Sequence, residues 1–501
     1  MIAQKLILGY GSKIVIQAMT IAAGILVARI AGPTVLGTVA FGTAFVSIFS
    51  FVSSFWGPAH VKLISEGKDL GKCISTFSVL KFLSTGLFLM LVIAVFFIQK
   101  NILHIKFESN IHQYVIFIIL MSVVIEQLLS IPITTFQART EQAKQDIPDL
   151  IRSFVRQILR IAVVLLGLRA IALASVNLIS IILVVPIFLI LFEDYPRAAF
   201  DKQLAMKYLK ISLPFFFMDI CTNSIDYLDK VILQFFANSQ QVGYYTAGYS
   251  IGGFFLLMAS SVGILFFPLF SAAAAQRDYA FIKDKVEKFE RFSFIFIMPI
   301  VLFCAIYSDT IVKVVLGKQY IPSIGVLSVI TIATFVIVLS NPYGNVVTGM
   351  GHFNLALILY LMNLIFFIST TMILVHPRIL NLGIDGMAYA ILASNIFIGI
   401  LFRLFAKKKC DVLDLMKNMK FVIWGIINFV LFYTLYSYGK QAYGINFRVI
   451  FPLLYFTITY LTLIFLKWIN KEDWKVFVTL IKIKQVFSYV IGEIHLKNKN
   501  R

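Results

Sequence analysis

Apolar stretches of about twenty residues recur along the whole chain, and they limit its fold more than any other feature. Backbone groups in lipid cannot hydrogen bond to water, so stretches of this length cross a membrane as helices. Hydrophobic residues make up 60% of the 501 residues, and only 14% are charged. A soluble domain carries about 25% charged residues. The sequence therefore predicts an all-α integral membrane protein.

We predict about fourteen spans with short connections. Their approximate bounds are 6–30, 36–56, 74–98, 113–136, 153–170, 173–192, 211–236, 243–267, 292–307, 324–347, 354–375, 386–406, 420–438 and 447–467. The tail at 469–501 alternates apolar residues with lysines. This pattern is typical of an interfacial amphipathic helix, and a partly disordered basic tail is the alternative.

The distribution of basic residues predicts the orientation of the spans. Of the 44 lysines and arginines, 31 fall in connections, termini or span ends on one side of the predicted membrane, and nine fall on the other. Basic connections stay in the cytoplasm, so both termini should be cytoplasmic. The same rule explains the net charge of +20 without any nucleic-acid partner.

Two polar stripes repeat at an offset of 206 residues. Each has the four-, three- and four-residue spacing of one helix face. The first stripe consists of Lys13, Gln17, Thr20 and Gly24, and the second consists of Asp219, Asn223, Asp226 and Lys230. Three further pairs in the same register are Gly37 with Gly243, Gly42 with Gly248, and Gly57 with Gly263. Six spans precede the second stripe, so the repeat is parallel. We predict two six-helix lobes at 1–210 and 211–410, spans thirteen and fourteen at 411–468, and the tail.

Polar residues are costly in lipid, so the stripes should line a cavity between the lobes. We assign a substrate lumen to Lys13, Gln17, Thr20, Ser47, Ser50, Asn223 and Lys230. Asp219 and Asp226 are candidates for coupling to an ion. Lys81, Glu126 and Arg160 are predicted to be structural, with Glu126 paired to Arg160 or Lys81. Asp229 and Lys230 fit a structural pair and a functional pair equally well.

No catalytic arrangement and no metal-ligand spacing is present, so we predict neither an enzyme nor a metal site. Gly349-Met350-Gly351-His352 is too short for a phosphate loop and should form the turn between spans ten and eleven. The four cysteines lie within or at the edge of spans and contain no CxxC pair, so disulfides are not expected.

Three segments resemble a known family. They are Val27–Gly37 after span one, Asp226–Leu233 with Val242–Tyr249 around the seventh and eighth spans, and Leu382–Ala390 before span twelve. All three are similar to the polysaccharide-transporter branch of the multidrug/oligosaccharidyl-lipid/polysaccharide (MOP) exporter superfamily, especially O-antigen flippases. The resemblance covers nearly the whole chain.

The resemblance implies a flippase in a bacterial cytoplasmic membrane. Its substrate would be an undecaprenyl-diphosphate-linked oligosaccharide, moved from the inner to the outer leaflet by alternating access. No cofactor is implied, but a proton or sodium gradient would drive the cycle. Membrane lipids, a polysaccharide polymerase and a chain-length regulator are the other partners that it suggests. Family members have a cation-lined lumen, and the acids at 219 and 226 depart from that pattern.

Two other functions remain open. A membrane polysaccharide polymerase would be expected to carry a large outer loop with catalytic residues, and every predicted outer loop here is short. A cation-coupled multidrug exporter of the same superfamily would share the fold. The extra spans thirteen and fourteen and the basic tail favour the polysaccharide branch.

Overall fold

The computed structural model describes residues 2–102, 104, 107–256, 266, 269–410 and 415–469. All the regular elements in this described part are helices. The first nine are α1 (Ile2–Ser47), α2 (Phe51–Ser54), α3 (Gly57–Ser65), α4 (Leu70–Phe97), α5 (Asn110–Ala138), α6 (Gln142–Leu165), α7 (Ala170–Phe192), α8 (Lys202–Phe236) and α9 (Ser239–Gly252). The later ones are α10 (Tyr279–Phe292), α11 (Met298–Ile306), α12 (Ser308–Ile311), α13 (Ser323–Gly349), α14 (Phe353–Val375), α15 (Gly383–Cys410) and α16 (Leu415–Phe465).

Two glycines turn the chain inside the longest helical elements. Gly32 in α1 has φ 79° and ψ 168°, and Gly444 in α16 has φ 59°. Glycine adopts this left-handed region without the penalty that a Cβ imposes. Each of these elements is therefore two helices joined at a sharp kink. The kinks lie where the sequence predicted the turns between spans one and two and between spans thirteen and fourteen.

Ten helices in the described part are long and apolar enough to cross a membrane. The helices α6 and α8 are not among them, although α6 has 24 residues and α8 has 35. Their charged faces lower the mean hydropathy. The all-helical membrane architecture is thus confirmed, whereas the number fourteen stays a prediction.

Several helices begin earlier than their apolar stretches. We expected span seven to begin at residue 211, but α8 begins at Lys202 because Asp201 caps it. The Oδ1 atom of Asp201 accepts a hydrogen bond from the backbone N–H of Leu204 at 3.0 Å. Asp278 caps α10 in the same way, 3.0 Å from the N–H of Phe281. Such caps satisfy free N–H groups outside the lipid, so hydropathy alone does not locate them.

Contacts divide the chain into two compact units, with the boundary between Thr246 and Ala247. In the first unit, α8 packs against α1, α2, α3 and α4. Its core includes stacked rings of His60, Phe77 and Tyr208. The second unit has an aromatic core around Phe451 and Tyr455. This boundary differs from the lobe boundary at residue 210, which stays a prediction drawn from topology.

Candidate functional site

The stripe on α8 places two carboxylates differently. Asp219 is half-buried, and its Oδ2 atom accepts a hydrogen bond from Ser54 Oγ at 2.7 Å. Asp226 is exposed, while Asn223 between them is half-buried. A charged carboxylate is costly against lipid. We therefore expect the face that carries Asp226 to meet water or substrate.

Lys230, predicted to line the lumen, is held in an ion pair. Its Nζ atom lies 2.9 Å from Oδ2 of Asp229, which is only 1% exposed. The Tyr245 hydroxyl donates to the same Oδ2 atom at 2.7 Å. Asp229 thus compensates the charge of Lys230 within the protein, and the structural and the functional interpretation of this pair both stay predictions.

The stripe on α1 faces α6. Gln17 and Thr20 are half-buried, and Gln157 Nε2 donates to Thr20 Oγ1 at 3.3 Å. A Cβ placed on Gly24 would meet no atom within 4 Å, so there is open space beside this stripe. Lys13 lies on α1, but its side chain lies outside the described residues.

The second predicted span is broken. After α1 ends at Ser47, a turn that contains Ser50 leads to the short helix α2. Ser47 is buried and lies within hydrogen-bonding reach of Tyr227 on α8. Ser50 is half-buried in the turn. The break exposes backbone carbonyls that a regular helix would satisfy internally.

Lys81 on α4 satisfies one of these carbonyls. Its Nζ atom donates to Ser53 O at 2.5 Å and to Gln127 Oε1 at 2.7 Å. The lysine is 2% exposed, and within the described residues no carboxylate pairs with it directly. Asp219 still interacts with it electrostatically. Lys81 thus bonds to a broken helix rather than to an acid, and its structural role stays a prediction.

The predicted pairing of Glu126 with Arg160 or Lys81 is wrong. Glu126 pairs with Arg152, and Nη1 and Nη2 of that arginine both lie 3.0 Å from Oε1. Arg160 instead donates to Gln157 Oε1 at 3.3 Å. Sequence depth suggested the wrong partner because depth does not show which helix faces turn towards each other.

The helix α6 has three distinct sides. Its exposed side is apolar and consists of Ile147, Ile151, Phe154 and Ile158. Its buried side packs on the protein and includes Asp146, Ser153, Gln157 and Val164. The third side carries Arg152, Arg156 and Arg160, each half-buried and four residues apart. Among the residues that the structure describes, Arg156 and Arg160 pair with no carboxylate within ion-pair distance, and Arg156 Nε has no hydrogen-bond partner.

The sequence patterns did not lead us to predict this arginine face. Span five was expected at 153–170, so Arg152 fell outside it, and Arg156 near its start was counted with the cytoplasmic charges. The helix begins at Gln142, so all three arginines lie within it. Their spacing of four residues is visible in the sequence and could have identified the face.

Polar groups of α1, α5, α6 and α8 therefore come together inside the first unit. Thr20 contacts Gln157, Glu126 pairs with Arg152, and Glu126 also interacts electrostatically with Tyr227 beside Asp226. Guanidinium groups bind phosphate oxygens in a bidentate manner. A carboxylate such as Asp226 can take up a proton or a cation. The region thus combines groups for an anion with groups for a cation.

A buried histidine supports this region from the side that the sequence assigns to the cytoplasm. His60 on α3 contacts the Tyr208 hydroxyl through Nδ1 at 2.7 Å and Thr135 Oγ1 through Nε2 at 2.9 Å. These bonds join α3 to α8 and α5. Burial lowers the pKa of His60 to about 3. The ring is therefore neutral at physiological pH and acts as a structural junction.

The sequence profile of a family described as "polysaccharide biosynthesis protein" matches residues 26–325, more than half of the chain. No curated protein matches the chain by sequence.

Solved transporter structures share the fold. The lipid II flippase MurJ in an inward closed conformation matches with a TM-score of 0.69 at 16% identity, over 92% of this chain and 99% of that one. An inward-facing multidrug resistance MATE family transporter of the MOP superfamily matches with a TM-score of 0.65 at 13% identity, over 79% of this chain and 94% of that one. Identities this low show the fold alone.

Proposed function

Because the chain belongs to the polysaccharide biosynthesis protein family, as its sequence resemblance predicted, we propose that it is a lipid-linked oligosaccharide flippase. It moves an undecaprenyl-diphosphate-linked oligosaccharide from the inner to the outer leaflet of a bacterial cytoplasmic membrane. The chain has the fold of MOP superfamily transporters, and one of its structural relatives is a lipid II flippase. That relative supports a lipid-linked substrate for this chain.

The arginine face of α6 is the observation that carries this proposal. Among the described residues, neither Arg156 nor Arg160 forms an ion pair with a carboxylate, although Glu126 and Asp149 interact with Arg156 electrostatically. A cation in such a position needs an anion or water, and a diphosphate supplies four or more phosphate oxygens for bidentate contacts. Thr20 and Asn223, both half-buried, supply hydrogen bonds for sugar hydroxyls. The apolar tail of the substrate stays in the bilayer.

Asp226 and Asp219 are the proposed coupling groups. Asp226 is exposed on α8 and can exchange a proton or sodium ion as the site changes access. Asp219 is tied to Ser54, beside the break in the second span, so a change in its charge would act on that break. An ion gradient then resets the empty transporter.

Arginine substitutions test the proposed substrate site. In cells that lack the native gene, Arg160→Gln and Arg156→Gln should each reduce surface polysaccharide by about tenfold or more, since a bidentate charged contact is lost. Arg160→Lys should retain more export because the charge remains. Lipid-linked oligosaccharide should accumulate in the inner leaflet at the same time.

Arg169→Gln is the matched control, since Arg169 is exposed in the connection after α6. It should export normally. Protein in the membrane is quantified for every variant. Normal export per molecule in both glutamine variants at 156 and 160 would refute the assigned site.

A multidrug exporter is the second candidate, because a MATE family transporter shares the fold. Many such drugs are cations, and the arginine face would repel them. Transport of cationic dyes by membrane vesicles tests this candidate. Dye transport that survives Arg160→Gln, without accumulation of lipid-linked sugar in the deletion strain, would favour it over the flippase.

A further inference from the structure

Two hairpins meet at a pair of glycines within the first unit. The first hairpin consists of the two helices of α1, and the second consists of α8 and α9. A Cβ placed on Gly37 would lie 1.7 Å from the backbone oxygen of Ser239 and 2.6 Å from the nitrogen of Gly243. A Cβ placed on Gly243 would lie 1.9 Å from the backbone oxygen of Pro33. No residue other than glycine fits at either position in this arrangement. The backbones are in direct contact.

This contact is reciprocal in the register of the internal repeat. Gly37 corresponds to Gly243 at the offset of 206 residues, and Pro33 corresponds to Ser239 at the same offset. Gly37 thus contacts the equivalent of Pro33, while Gly243 contacts Pro33 itself. Such a two-way exchange is the mark of an isologous contact across a two-fold axis. Gly37 and Gly243 are therefore equivalent positions of the repeat that meet face to face.

The contact lies just after the kink at Gly32, where the first of the two helices within α1 ends. With the N-terminus in the cytoplasm, this end is the outer one. Glycines allow helix backbones to approach closely, where weak Cα–H···O=C contacts replace side-chain packing. Each such contact contributes little, so other bonds decide how firmly the two hairpins hold together.

A polar cluster holds the second hairpin in place. The Oε2 atom of Glu108 accepts hydrogen bonds from the backbone N–H of Ser239 at 2.8 Å and from its Oγ at 2.5 Å. His112 Nε2 contacts the same Oγ at 2.7 Å, and Gln234 Nε2 donates to Glu108 at 3.0 Å. Burial opposes the charge on Glu108, but the bonds from Ser239 and Gln234 outweigh it and lower its pKa. The carboxylate thus stays charged and fixes Ser239 against Gly37.

We propose that the reciprocal Gly37–Gly243 contact is the outer gate of the transporter, closed in this structure and opened once in each cycle. The direction and the cycle rest on the proposed function. The gate itself rests on the contact. Because the two contacts are reciprocal, separation of the two hairpins breaks both of them together.

Alanine substitutions test the gate. Gly37→Ala and Gly243→Ala each place a methyl group inside a backbone contact, so the hairpins must move apart by about 1.5 Å to reach ordinary separation. The reporter is Asn223→Cys in the full chain with the four native cysteines replaced, labelled in intact cells by a membrane-impermeant thiol reagent. Labelling from outside should rise about threefold or more, and export should fall about tenfold, since overpacking opposes closure.

Gly86→Ala is the matched control, because Gly86 lies on a helix and a Cβ there meets no atom within 4 Å. It should leave labelling and export unchanged. The double variant Gly37→Ala/Gly243→Ala should resemble either single variant rather than show the product of their effects, because one methyl group already parts the contact.

Labelling needs no substrate, so it separates the gate from the proposed function. Increased labelling in both glycine variants supports the gate even where the transported substrate proves to be a different one. Unchanged labelling in both variants overturns the gate. A fall in membrane protein with normal labelling per molecule also overturns it, since the glycines would then serve folding alone.

Discussion

Replacing Lys81 by methionine tests whether a buried cation stabilises the broken second span. Methionine has a similar length and no charge. The change removes the hydrogen bonds from Nζ to Ser53 O and to Gln127 Oε1. Each charge-assisted bond contributes about 1.5–3 kcal/mol, and each acceptor left unpaired costs about 1–3 kcal/mol.

An opposing effect comes from desolvation, because Lys81 is 2% exposed and methionine is less costly to bury. Gln127 can rotate towards another donor, whereas Ser53 O is fixed by the backbone. We therefore expect Lys81→Met to lower the free energy of unfolding by about 2–3 kcal/mol. Titration with a denaturing detergent measures this free energy.

Lys100→Met is the control, since Lys100 is exposed and makes one bond of 3.2 Å to Gln113. Its effect should stay within about 0.5 kcal/mol. A double cycle of Lys81→Met with Gln127→Leu should show a coupling of about 1–2 kcal/mol. If Lys81→Met equals or exceeds the wild type in stability, Lys81 does not hold the break, and its burial would need a functional reason.

Three further predictions use other described residues. Hydrogen bonds from Lys440 and Tyr436 outweigh burial and lower the pKa of Asp309 to about 2. Asp309→Asn should therefore lower the free energy of unfolding by about 2 kcal/mol at pH 7, and this loss should fade as pH falls from about 4 to 2. The exposed control Asp284→Asn should cost little. His60 stays neutral when folded, so the free energy of unfolding should fall below about pH 6.5, by about 2 kcal/mol at pH 5. His60→Phe should make the unfolding midpoint less dependent on pH. A cysteine at Asn223 should react with a water-soluble thiol reagent much faster than one at buried Ile232, and equal rates would mean that the α8 stripe is a dry packing surface.

The same sequence signals located some features correctly and others not. Apolar stretches predicted the membrane helices, and Gly32 and Gly444 lie where turns were expected. The start of α6 was placed too late because its first turns carry charges. The tail at 469–501 falls almost wholly outside the described residues.

The sequence by itself determined that this chain is a helical membrane protein, because lipid forces long apolar stretches to satisfy their backbones as helices. It also showed the 206-residue register, since residue identity and spacing repeat along the chain. Only the tertiary structure decided that Glu126 pairs with Arg152 and that Gly37 meets Gly243. Such partners depend on how each helix is rotated about its axis and on which neighbour it faces. Packing of the whole fold fixes both, and no local pattern encodes them.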